Sequence, residues 1–177
     1  MIQCLKNNFR SSERGSASIE FVFLFPLFVG MMLMSIETGV YMMRQVMLDR
    51  SVDLAVRELR LGTDEPPTFQ EFKTSICNNA ILIPQCEKTI QVELTKVPFT
   101  TWQGVAAEAK CRDVTQDIDP YDQTEYTNGS ANELMMVQVC GVFKPVLPTT
   151  PLGLGLKYMP NDMYAIVTKS AFVNEPS

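Results

Sequence analysis

The residue types that could do chemistry are few, and what is missing narrows the field first. The 177-residue chain has no histidine. That removes the commonest general base, the usual zinc ligand and the usual near-neutral pH sensor. No G-x-S-x-G stretch and no Gly-rich phosphate loop is present, so an enzyme is not expected. The remaining reactive groups are five cysteines and a misplaced carboxylate. Cys4 lies near the start, whereas Cys77, Cys86, Cys111 and Cys140 all follow a long apolar stretch. An even set on one side of such a stretch predicts two disulfides in an oxidising compartment. The spacing lacks the paired C-x2–4-C of zinc sites, so no metal and no cofactor is expected. Three pairings are open to four cysteines. Cys77 and Cys86 flank Pro84 and suit a local loop-closing bridge, so the favoured set is Cys77–Cys86 with Cys111–Cys140. The misplaced carboxylate is Glu20, at the mouth of the apolar run.

Composition sets wider bounds. Charged residues make up 20% and apolar ones 46%, so the chain is neither disordered by composition nor wholly membrane-embedded. The net charge of −5 argues against nucleic acid as a partner, because phosphate binding needs a basic face. Asp117, Asp119, Asp122 and Glu125 suggest a calcium loop, but Pro120 follows the D-x-D where an EF-hand would carry its pattern. A solvated acidic loop fits better. Trp102 reads as a core anchor.

The element that positions Glu20 is a helix. Residues 21–36 carry no charge, Glu37 interrupts, and residues 38–43 are again uncharged. As one helix, residues 19–43 would reach about 37 Å, more than the ~30 Å of a hydrocarbon core. Pro26 lies inside, which membrane helices tolerate better than soluble ones, and it predicts a bend. A cleaved secretory signal would need a small-x-small site after the run, and none of that form follows. A single membrane span is the reading. Positive charge does not orient it, since Lys6, Arg10 and Arg14 precede the span and Arg44, Arg50, Arg57 and Arg60 follow. The cysteines do, by placing the C-terminal part outside the cytoplasm.

A carboxylate at the edge of hydrocarbon is costly unless paired. Glu20 could sit at headgroup level or favour the helix start through the dipole. A second reading uses Gly15. If the chain were cut between Gly15 and Ser16, Glu20 would be the fifth residue of the product. Its carboxylate could then neutralise the new α-ammonium of a neighbouring copy. Gly15, without a side chain, lets a protease approach the backbone closely.

The stretch ERGSASIEFVFLFPLF resembles the start of TadE-like pseudopilins of tight-adherence (Flp-type) pilus systems. Such starts read R-G-x-x-x-[VI]-E-F-A-x-x-x-P, matched by Arg14, Gly15, Ile19, Glu20, Phe21 and Pro26, with Val22 in place of the alanine. The resemblance extends roughly over residues 19–62 and 134–176. It implies cleavage by an inner-membrane aspartic prepilin peptidase after Gly15. It also implies a bacterial inner-membrane location, with a cytoplasmic N-terminus and a periplasmic C-terminal domain. The expected role is a minor pilin-like subunit that assembles with other pilins and the inner-membrane assembly machinery, and that could enter a surface pilus. Glu20, Phe21 and Pro26 would act in assembly, and Glu37 would meet a partner's Arg or Lys or lie exposed at the membrane surface. The competing reading is an uncleaved single-pass sensor or adhesion module, with a ligand-binding domain outside.

The expected fold is α+β. Residues 1–15 form a leader, 16–62 a transmembrane and extended helix, and 63–177 a small disulfide-bonded domain. That domain carries a three- to four-stranded antiparallel sheet and a short packed helix. Val46, Asp49, Val52 or Asp53, Val56 and Leu59 mark the helix stripe that faces it, widened by Leu54, Ala55 and Leu61, with the charges of Asp49, Asp53, Arg57 and Arg60 on a charged side beside it. Residues 69–80 read as an amphipathic helix, and residues 89–96, 134–146 and 163–173 as strands. G153-L-G155 reads as a turn.

Overall fold

The computed structural model describes residues 16–60, 67–98, 109–112, 126–157 and 159–174. Its first element, α1, is a single helix over Ser16–Arg60, continuous through Pro26. At 1.5 Å per residue its 45 residues reach about 67 Å. The N-terminal part is apolar on every side and unburied, and the helix is long and apolar enough to cross a membrane. The C-terminal part is amphipathic and belongs to the folded domain.

Among the described residues, three further α-helices, three strands and a short 3-10 turn at Pro160–Asp162 follow. The helices and strands are α2 (Phe69–Asn79), α3 (Cys86–Thr89), β1 (Ile90–Lys96), β2 (Leu134–Phe143), α4 (Pro151–Leu156) and β3 (Tyr164–Val173). The sheet is antiparallel with order β1-β2-β3. Val139 pairs with Val92 on one side and with Thr168 on the other. The α+β class and the two disulfides thus stand as expected.

One sheet face and two helices make the core. Leu48, Val52 and Ala55 of α1 join Phe72 and Ile76 of α2 over Val92, Leu94, Val137, Val139, Tyr164 and Ile166. The helix stripe that does this is shifted from the expected one. Leu48 is fully buried, whereas Val46 is 60% exposed and Leu54 also faces out. Asp49, expected on the charged side, takes a hydrogen bond from the Thr168 hydroxyl of β3. Several apolar residues outside the folded contact made the stripe ambiguous, because α1 is apolar on more faces than the domain covers.

The helix starts are legible in local chemistry. α2 opens with a capping box, in which the Glu71 carboxylate accepts from the Thr68 backbone N–H at 2.8 Å. The Thr68 hydroxyl in turn accepts from the Glu71 N–H. β2 ends at Phe143 rather than at residue 146, because Pro145 cannot donate to a ladder. The G153-L-G155 turn is instead part of α4. Thr150 accepts from the Gly153 N–H at 3.0 Å and Pro151 occupies the first helical position, both helix-start features. A Cβ at Gly153 would run into the Leu147 carbonyl oxygen.

The second sheet face mixes polar and apolar residues and is buried along β1 and β2 but exposed along β3. Gln91, Glu93, Gln138 and Cys140 are all buried there. Cys140 is bonded to Cys111, and the Lys110 N–H donates to Glu93 at 3.2 Å, which holds residues 109–112 against this face. The other disulfide, Cys77–Cys86, joins α2 to the start of α3. Trp102 and the acidic stretch from Asp117 to Glu125 lie outside the described residues.

Candidate functional site

The candidate site is the N-terminal half of α1 and its junction with the domain. Gly15 lies outside the described residues, and Ser16 is the first residue of α1. Glu20 is exposed. Phe21 stacks on Phe25 with ring centroids 5.0 Å apart, as residues four apart on a helix do. Phe21, Phe23, Leu24, Leu27 and Phe28 are all exposed, with Phe23 at 76%. Among the described residues, nothing in the chain covers this surface.

Glu37 stands apart from Glu20 by 17 residues, or about 25 Å of helix, so Glu20 lies at the start of the apolar stretch and Glu37 towards its far end. Glu37 does not fit either expectation for it. It is fully buried, and its two carboxylate oxygens accept the backbone N–H groups of Val146 at 3.0 Å and Leu147 at 2.7 Å. The cause is local. Residues 144–150 leave β2 through two prolines, and their N–H groups lack a strand partner. The carboxylate satisfies two of them with charge-assisted bonds. Glu37 is therefore occupied by its own domain and is not available to a partner's Arg or Lys.

One to two turns further along, at Tyr41 and Arg44, the same helix face carries a polar–aromatic cluster. Arg44 Nη1 donates to the Tyr164 hydroxyl at 2.7 Å and to the Lys144 carbonyl at 3.0 Å. Its guanidinium lies over the Phe143 ring, 5.1 Å from the centroid. Tyr164 also packs on Tyr41 and Phe143. Burial pushes the Tyr164 hydroxyl above its ordinary value of 10.0, and Arg44 opposes part of that shift. Glu37, Tyr41, Arg44 and Leu48 thus form one seam that joins α1 to the domain at spacings of three and four. Sequence reasoning missed this seam. Its only signal was that spacing, masked by the apolar residues on every other face.

This long helix carries Glu20 and Phe21 near its start, is unburied along its apolar part and runs directly into a sheet-packed domain. Residues 15–57 match the TadE-like protein family. The TadE-like stretch covers the apolar helix and most of its amphipathic continuation, and the likeness noted for residues 134–176 lies outside it. No curated protein and no solved structure matches the chain. The matched segment holds the helix that is long and apolar enough to cross a membrane. Among the described residues, no group of three or more His, Cys, Asp or Glu side chains is placed to hold a metal ion.

Proposed function

We propose that the protein is a pseudopilin-like minor subunit of a Tad pilus system, processed after Gly15 and assembled through α1. In this reading residues 1–15 are a cytoplasmic leader, 16–62 span the inner membrane and extend beyond it, and 63–177 form the periplasmic domain. The observation that carries it is the uncovered apolar surface of α1 with Glu20 at its start, inside the TadE-like stretch. Phe21 and the exposed phenylalanines beyond it are the packing surface for partner pilins. The role is structural: the helix is the assembly element and the domain sets partner choice. Disulfides and an anchored helix together suit the periplasmic side of the inner membrane.

Glu20 is the residue on which assembly turns. Once the leader is removed, its carboxylate lies one helical turn from the new α-ammonium and pairs with that of a neighbour. Pairing offsets the cost of each charge at the hydrocarbon edge. The test is co-purification of partner pilins with the membrane-extracted chain. Glu20→Ala and Glu20→Gln should lose partners at least tenfold while the chain remains in the membrane, and Glu20→Asp should retain part of the recovery. Unchanged recovery with Glu20→Ala would remove Glu20 from assembly.

A further inference from the structure

Where the domain meets α1 there is a cavity of about 510 Å³. Four cations line it: Arg44 of α1, Lys88 of α3, Arg112, and Lys144 just after β2. No acidic residue lines it among the described residues. This concentration of positive charge occurs in a chain whose net charge is −5, so it is local rather than general. Pro84, Val142, Phe143 and Met163 add apolar wall.

Arg44 is held in place before any ligand arrives. Among the described residues, both of its hydrogen bonds leave from Nη1, and Phe143 lies under the guanidinium. The donors on Nη2 and Nε are left for an acceptor. Lys88 and Lys144 are exposed at the rim. A fixed guanidinium, two adjustable ammonium groups and a partly apolar wall suit a phosphate group on an organic body.

The height of the cavity on α1 decides the source of that phosphate. A core of about 30 Å takes roughly twenty helical residues, which runs from Phe21 to about Val40. Arg44 then lies about 6 Å beyond the hydrocarbon edge. On the other faces of the helix, Met42, Met43 and Val46 are still apolar and exposed at this level. The cavity is thus at headgroup height. We propose that it binds the phosphate of an anionic phospholipid headgroup in the leaflet beside the folded domain, which seats the domain on the membrane. The lipid source rests on the membrane anchoring proposed above. The anion site does not, and it would persist in an uncleaved chain.

The test uses the full chain in neutral detergent, titrated separately with phosphatidylglycerol, phosphatidylcholine, inorganic phosphate and a polyglutamate peptide, with bound ligand counted by native mass spectrometry. Phosphatidylglycerol should bind at least tenfold tighter than phosphatidylcholine. The variant Lys88→Glu/Lys144→Glu should lose roughly tenfold or more in that affinity. Arg50→Glu/Arg57→Glu, which makes the same charge change at exposed positions further along α1, should leave it unchanged. Should the first variant fail to melt cooperatively, Lys88→Gln/Lys144→Gln replaces it, with a several-fold loss expected. Equal loss in both charge-reversal variants would reduce the effect to general surface charge and overturn the site. Inorganic phosphate binding as tightly as phosphatidylglycerol would overturn the lipid source, and stronger binding of polyglutamate would assign the cavity to an acidic protein partner instead.

Discussion

Glu37, in the middle of an otherwise uncharged helical stretch, hydrogen-bonds the backbone of Leu147, 110 residues later, at 2.7 Å. With its second bond to Val146, it fixes the height at which the domain meets the helix. A carboxylate so close to hydrocarbon would be costly if exposed. Here the carboxylate is satisfied by the domain itself, which ties the helix to the domain at this level.

Removing that carboxylate should loosen the junction. Glu37→Ala leaves two backbone donors without a partner and should destabilise the domain by about 3 kcal/mol. Glu37→Gln keeps one acceptor oxygen and should cost about half as much. Thermal unfolding of the full chain in detergent measures both. Equal melting temperatures for wild type and Glu37→Ala would mean that the carboxylate serves something outside the chain.

The phase of α1 is open to a similar check. Leu48→Ala empties a fully buried position and should cost about 3 kcal/mol. Val46→Ala, at a 60% exposed position, should change domain stability by less than about 0.5 kcal/mol. The opposite ranking in denaturant unfolding would restore the stripe centred on Val46.

The two disulfides close loops of different size. Cys111–Cys140 has a sequence separation of 29 and Cys77–Cys86 one of 9. Loop-closure entropy then assigns about 3.5 kcal/mol to the first and about 2.5 kcal/mol to the second. Urea unfolding of Cys111→Ser/Cys140→Ser and Cys77→Ser/Cys86→Ser should rank them in that order. A larger loss from the shorter loop would show that local packing of Cys77 and Cys86 outweighs chain entropy.

Stability should fall at both ends of the pH scale. Burial, and then the Glu71 charge, push the Tyr126 hydroxyl up to about 12 from its ordinary 10.0. The folded state favours the protonated phenol, so this stability is present below pH 10.0 and is lost as pH rises towards about 12. Tyr126 also donates to the Pro67 carbonyl at 3.0 Å, so Tyr126→Phe should cost about 1 kcal/mol at pH 8. It should also flatten the alkaline loss. The Thr68 backbone and side-chain hydrogen bonds hold the Glu71 carboxyl below its ordinary 4.5, so its contribution is present above that value and fades on acidification below it. Melting temperatures across pH check both arms, and an alkaline loss undiminished in Tyr126→Phe would move its origin to another tyrosine, such as Tyr164.

What could be read from the sequence follows from how local each signal is. The apolar run, the strands around Val92, Val137 and Ile166, and the helix bearing Phe72 and Ile76 each carry their period in a short window, so type and place were legible. The α4 helix was not, because its two glycines outweighed the Thr150 cap and Pro151 in a local reading. Glu37 was not, because its partners lie 109 and 110 residues away and are backbone groups of a proline-interrupted segment. Backbone donors leave no trace in side-chain identity. The basic cavity was equally hidden, since Arg44, Lys88, Arg112 and Lys144 are scattered and meet only once the sheet has formed.

The account depends most on the chain being cut after Gly15 to free a helix that starts at Ser16. Intact mass and N-terminal sequencing of the protein from its own membranes, with and without the prepilin peptidase, test this directly. The account predicts a start at Ser16 when the peptidase is present and the intact leader when it is absent. An intact leader in both cases would contradict it and would leave an uncleaved, membrane-anchored binding module in its place.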